Sequence, residues 1–158
     1  MIFPHHECEA ALSGAATGRP LVRHWAHTGM VGYQGAKMSK SLGNLVFVRD
    51  LLKTGEPVAI RLAVLAHHYR SDWEWHDDLI TQAATRLASW RAGQARLAPV
   101  RAKPSGGGHL LDAVRAALDD DLDTPRAIAA IDAAVASSRP GAPRVDLSEA
   151  AALLGVPL

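Results

Sequence analysis

Cysteine is almost missing from this chain: Cys8 is its single example in 158 residues. An internal disulfide is thereby excluded, and such usage suits a reducing, cytoplasmic setting. Aromatic residues are also scarce, at 5%. Together with heavy alanine use, that scarcity disfavours a sandwich or barrel and favours helices. No apolar run approaches the ~20 residues of a membrane span, so no membrane partner is expected. The opening MIFPHHECEA lacks a basic segment followed by an apolar one, and no secretory signal is expected from it. Neither sign of charge dominates, the formal net charge being +1. Any anion site must therefore be local. What remains is an ordinary soluble globular composition, 48% hydrophobic and 21% charged, in a chain long enough for one core or two small ones.

Pro4 is placed to open a helix carrying His5, His6 and Glu9, which the stretch Gly14 to Pro20 should end. The segment LVRHWAHTGMVGYQG mixes β-branched and aromatic residues with glycine. It predicts one or two short strands centred on residues 22–27 and 29–33. NLVFVRDLLKTG reads as a short apolar-then-amphipathic segment stopped by Gly55. From Pro57 the pattern turns helical, and PVAIRLAVLAHH is apolar almost all round, as in a buried helix. SDWEWHDD reads as a cap-rich link. A long amphipathic helix follows, with Ile80, Ala83, Leu87, Trp90 and Leu97 on one face. PVRAKPSGGG is the best internal boundary. Beyond it, Leu110, Leu111, Val114 and Leu118 mark a helix. DTPRAIAAIDAAV marks another, with Thr124 as N-cap and Pro125 at its first position. SSRPGAPRVD breaks the chain again before a last short helix ending in LLGVPL. A two-strand remnant makes no stable sheet alone, which points to something missing upstream.

The chemistry concentrates in GAKMSKSLGN, residues 35–44. Lys37 and Lys40 lie between the hinges Gly35 and Gly43, and Ser39 and Ser41 add hydroxyls. Two ammonium groups on a swinging loop can follow a polyphosphate as charge moves to its leaving group. A solvated turn is the alternative for a generic pair of lysines at this spacing. In FPHHECE, His5 and Glu9 are i, i+4 and share a helix face, so both could ligate zinc. Two ligands do not complete such a site, and a surface His/Glu pair is the alternative. Trp73 and Trp75 fit a ligand platform or inter-helix packing equally well. His67 and His68 suit the negative end of a helix. Arg70 defaults to a salt bridge, and the run Asp119 to Asp121 to a solvated helix end.

The pentapeptide KMSKS resembles the signature loop of the class I aminoacyl-tRNA synthetases and the enzymes derived from them. FPHHE, HWAHTGMVGYQGAKMSKSLGN and LAHHYRSDWEW together resemble the cysteine-activating branch. That branch holds cysteinyl-tRNA synthetase and a mycothiol-pathway ligase that joins cysteine to glucosaminyl-inositol. The tryptophan-rich SDWEW, DDDLDTPRAIAAI and the ending LLGVPL resemble the ligase, and residues 42–158 leave little room for a long anticodon-reading region. Glu9 stands where the tRNA enzyme carries a zinc-ligating glutamate and the ligase has a small residue.

The resemblance implies a mainly α chain. Residues 1–47 would be the C-terminal end of a Rossmann-like catalytic domain with the KMSKS loop, and 48–99 a helical connective region. A linker at 100–108 and a C-terminal helical region at 109–158 would complete it. It implies that Lys37, Met38, Ser39, Lys40 and Ser41 meet ATP, with Lys37 and Lys40 catalytic, and that the backbone at Val31 meets the adenylate. It implies His5, and Glu9 by the tRNA-enzyme pattern, as ligands of a zinc ion that holds the substrate thiolate and so selects sulfur over hydroxyl. ATP, L-cysteine and an aminosugar-inositol acceptor are the implied partners of a monomer, with nucleic acid a partner only if the tRNA enzyme is the better match. The HIGH-type motif and the zinc cysteines of the family are not in these residues. A fragment, a mis-called start or a split gene product is therefore expected, inactive alone. A non-catalytic helical interaction module is the remaining alternative.

Overall fold

The computed structural model describes residues 2–97, 107–137 and 145–158. A π-helical turn, Ile2–His6, kinked at Phe3, runs into α1, Glu7–Thr17. Gly18 ends α1 and donates its N–H to the Gly14 carbonyl at 2.9 Å, within the stretch expected to stop it. α1 buries none of its side chains.

The strand expected at residues 22–27 does not form, and residues 18–30 are irregular. Leu21, Val22 and Trp25 are exposed there. β-Prone residues become a strand only where a neighbour supplies the other half of the ladder. The second expected strand does form, as β1, Val31–Tyr33. It returns through Gln34 and Gly35, with φ of 56° and 74°, into β2, Ala36–Lys37. Two successive left-handed residues give the twist of a tight hairpin, and Gly35 takes that conformation without steric cost. Gly32 faces Lys37 and Tyr33 faces Ala36.

The third strand was not expected. β3, Trp73–Trp75, lies in what reads as a link, within the 48–99 stretch expected to be helical, and it pairs parallel to β1 in the order β2-β1-β3. A parallel pair needs a crossover connection. Here α2, Val48–Leu51, and α3, Pro57–Leu65, supply it.

The core belongs to the helices. α4, Leu79–Leu97, α5, Gly107–Asp119, α6, Thr124–Ser137, and α7, Ser148–Leu153, complete the described elements. Leu62 of α3, Leu87 and Trp90 of α4, Val114 of α5 and Ile131 of α6 are all fully buried. In α3 the burial is one-sided: Ala59, Ile60, Leu62 and Ala63 are inside while Arg61 and Val64 stand exposed. The Trp90 indole N–H donates to Asp132 Oδ1 at 2.7 Å, and Arg86 Nε reaches Asp132 Oδ2 at 3.1 Å. α4 is thereby fixed to α6 by a polar contact beside the apolar one. Arg91 on α4 grips Glu56, just before α3, at 2.9 and 2.5 Å. That hydrogen bond holds the Glu56 carboxyl below its ordinary range, against the opposing effect of desolvation.

The cap of α6 shifts by one residue from expectation. Asp123, not Thr124, accepts the Arg126 N–H, at 3.0 Å, because its carboxylate reaches the third helical N–H. Residues 98–106, with most of the expected 100–108 linker, lie outside the described residues. So do 138–144 of the expected break.

Candidate functional site

The loop of interest hangs from the β1–β2 hairpin. Lys37 ends β2, and Met38 continues the ladder by donating its N–H to the Val31 carbonyl at 3.2 Å. The chain then turns away. Asn44 closes that turn: its Oδ1 accepts the Ser39 N–H at 2.9 Å, and its Nδ2 donates to the Lys37 carbonyl at 3.3 Å. Inside the turn, Gly43 donates to the Lys40 carbonyl at 3.2 Å, and the Ser39 and Ser41 hydroxyls meet at 3.1 Å. Lys37, Lys40 and Ser41 are exposed, while Met38 and Ser39 are half-buried. Among the described residues no carboxylate pairs with either lysine. The loop thus has a pinned frame and two uncommitted ammonium groups.

Three acidic side chains brace the hairpin from outside. Glu74 Oε1 accepts the Gly35 N–H at 2.6 Å, Asp72 Oδ1 accepts the Met30 N–H at 2.6 Å, and Asp77 Oδ1 accepts the Tyr33 hydroxyl at 3.1 Å. The last bond, with the added charge of Asp77, raises the Tyr33 phenol above its ordinary value. Sequence reasoning missed Asn44, Asp72 and Glu74. Asn44 carried a weak signal, since asparagine beside glycine favours backbone-capping turns. The two acids alternate with tryptophan, Asp72 just before β3 and Glu74 within it, in a strand too short to be read as one.

Val31 borders a cleft of about 620 Å³ between the small sheet and the helices, lined also by Arg61, His67, Trp73, Leu122 and Leu154. Trp73 stacks on His67, ring centroids 4.0 Å apart and 10° from parallel. Trp75 is buried. His67 Nδ1 lies 3.1 Å from the Ala63 carbonyl and so caps the end of α3, while His68 and Arg70 turn to Asp121.

His5 and Glu9, the expected zinc ligands, are both exposed. Among the described residues, no three of His, Cys, Asp and Glu come together in a way that could hold a metal ion. The structure gathers instead His6, Trp25 and His27, the two imidazoles 5.0 Å apart, with His6 Nδ1 and His27 Nε2 buried and lacking a hydrogen-bond partner. The residues present therefore do not by themselves make a zinc site.

A parallel strand pair with a helical crossover, a loop rich in lysine and serine, and a helical body behind it are consistent with a domain of the class I synthetase type. A family model described as the class I (C) tRNA synthetase catalytic domain matches residues 1–85, and the chain belongs to that family. Over its whole length it is 53% identical to an L-cysteine:1D-myo-inositol 2-amino-2-deoxy-alpha-D-glucopyranoside ligase of Acidothermus cellulolyticus. Identity to proteins of the same name is 51% in Clavibacter michiganensis, over the whole chain, and 52% in Micrococcus luteus, over 99% of it. The chain spans between 37% and 39% of the length of these relatives.

Proposed function

We propose that this chain supplies the nucleotide-loop part of an ATP-dependent cysteine ligase. In the reaction, the cysteine carboxylate attacks the α-phosphate of ATP and pyrophosphate leaves, giving cysteinyl-adenylate. The amine of glucosaminyl-inositol then attacks the acyl carbon, AMP departs, and an amide forms with release of a proton. Lys37 and Lys40 are assigned to the charge that develops on the departing pyrophosphate. Met38, Ser39 and Ser41 line the same loop, and Val31 lies at the adenylate side. The observation that carries this reading is the pinned loop with two unpaired lysines, in a chain whose named relatives are ligases of that acceptor.

His5 is the residue assigned to zinc, with Glu9 beside it. A bound zinc would supply soft-metal recognition of the substrate thiolate. Holding it takes donors that the described residues do not assemble.

Activity is proposed to need the further length that the relatives carry. The exposure of Phe3, Leu12, Leu21, Val22 and Trp25 around an α1 that buries nothing supports this, because such a face suits coverage by more of a catalytic domain. The test is AMP release from ATP and cysteine. The chain alone should give none, and turnover by these 158 residues would overturn this part of the reading.

One residue favours a second reading, a cysteinyl-tRNA synthetase piece: Glu9, which matches the tRNA enzyme's ligand pattern. Acceptor assays with tRNA and with the aminosugar separate the two. A non-catalytic module would not bind ATP.

A further inference from the structure

The turn between α5 and α6 holds two successive non-glycine residues in the left-handed region, Asp121 at φ 58° and Leu122 at φ 55°. Side chains with a Cβ avoid that conformation unless surrounding contacts impose it. The contacts come from far along the chain. The Asp121 carboxylate accepts the Tyr69 hydroxyl at 2.7 Å, takes a hydrogen bond from the Arg70 guanidinium, and lies 3.6 Å from His68 Nε2. A residue that reads as part of a solvated acidic run thus grips three consecutive side chains.

Those three residues sit directly behind the hairpin. The Tyr69 carbonyl accepts the Gly29 N–H at 2.7 Å, and Trp73 donates its N–H to the Met30 carbonyl at 3.0 Å. Asp72 holds the Met30 N–H from the same turn. Contact there leaves no slack, since a Cβ built on Gly29 would lie 2.2 Å from the Ser71 carbonyl oxygen. Residue 31 begins β1, and its carbonyl receives the Met38 N–H at the root of the loop. Each link from Asp121 to Met38 is therefore a hydrogen bond, a ladder pair or one peptide unit.

We infer that Asp121 is a positioning residue for the loop Lys37–Ser41: it fixes the turn at residues 68–72, and that turn fixes the strand from which the loop hangs. The inference rests on the reading of this loop as the nucleotide loop. It would let the helical region set where the two lysines stand without touching the nucleotide.

The test is amide hydrogen exchange on the whole chain, read residue by residue by NMR, with D121G and D121N. D121G removes the carboxylate while glycine relieves the left-handed backbone, so the fold should survive. Exchange at Gly29, Met30 and Met38 should then rise roughly tenfold, while amides in α4 and α6 keep their protection. D121N tolerates the same backbone and keeps an acceptor for Tyr69. It should restore most of the protection. Changes confined to residues 117–126 in D121G would overturn the coupling. ATP added to the parent chain separates the two ideas. If ATP moves no resonance of Lys37 to Ser41 in parent or variant, the nucleotide reading falls, and the exchange result still decides whether Asp121 governs the loop.

Discussion

Asn44 holds the backbone of the lysine loop closed on Ser39, accepting its N–H at 2.9 Å while donating to the Lys37 carbonyl at 3.3 Å. One side chain thus spans the loop from Lys37 to its far end and leaves both lysine amines outside the clasp. N44A deletes both bonds in a half-exposed place, where each net hydrogen bond is worth about 0.5–1.5 kcal/mol. The variant should melt within a few degrees of the parent, yet amide exchange at Ser39 to Gly43 should rise markedly. Unchanged exchange in the loop would mean that Asn44 does not set its frame.

Gly29 and Ser71 approach too closely for any side chain at position 29. Because the obstacle is backbone, G29A must push the 68–72 turn away from β1 and stretch the bonds at Gly29 and Met30. Overpacking of this kind costs about 1–3 kcal/mol. Urea unfolding should show a loss in that range, with β1 amides deprotected more than those of α6. A fully stable G29A would contradict the packing described.

Trp90 anchors the helical core through both its ring and its N–H. W90F keeps most of the apolar volume but leaves Asp132 with Arg86 alone, and should cost about 1–2 kcal/mol. W90A opens a cavity and should cost about 3–5 kcal/mol. Chemical denaturation of both variants checks the order; equal losses would mean that the hydrogen bond, which both variants delete, carries the effect and the packing adds little.

Asp146 links α7 to α4. Its Oδ1 accepts the Ser148 N–H at 2.8 Å and a Gln94 side-chain N–H at 3.1 Å. The Ser148 backbone bond is the main cause of a folded-state pKa below the ordinary 3.8, working against desolvation. Because folding lowers this pKa, the stabilisation is complete above the unfolded value and is lost as pH falls through the lower folded value. D146N should therefore be less stable than the parent at neutral pH, with the difference shrinking as pH drops below about 4. Thermal melts across that window check the sign, and a difference that grows in acid would contradict it.

Much of this was legible in the residues, and the rest was not for identifiable reasons. The helices announce themselves because burial repeats every three to four residues: Ala83, Leu87 and Trp90 are all buried where α4 expects them. The loop was legible because its lysines and serines are contiguous in the sequence. β3 was not, because three residues are too few to show a period, and its partner lies some forty residues earlier. The missing strand at 22–27 shows the converse: Val22, Trp25 and their neighbours have strand-like composition but no described ladder to join. Asp123 took the cap from Thr124 because a carboxylate one residue earlier reaches the same N–H. Asp121 hid best, since nothing in an acidic run marks which member will turn inward to Tyr69 and Arg70.

The proposed role of Lys37 to Ser41 is cysteine activation for transfer to an aminosugar. It is tested most directly by replacing the matching stretch of the Acidothermus cellulolyticus relative with this chain. Cysteine-dependent AMP release is then followed with glucosaminyl-inositol and with tRNA as acceptor. Amide should form with the aminosugar, at a rate that falls on the order of a hundredfold or more in K40A through lost transition-state charge stabilisation. A folded chimera that charges tRNA instead, or one in which K40A keeps the full rate, would contradict it.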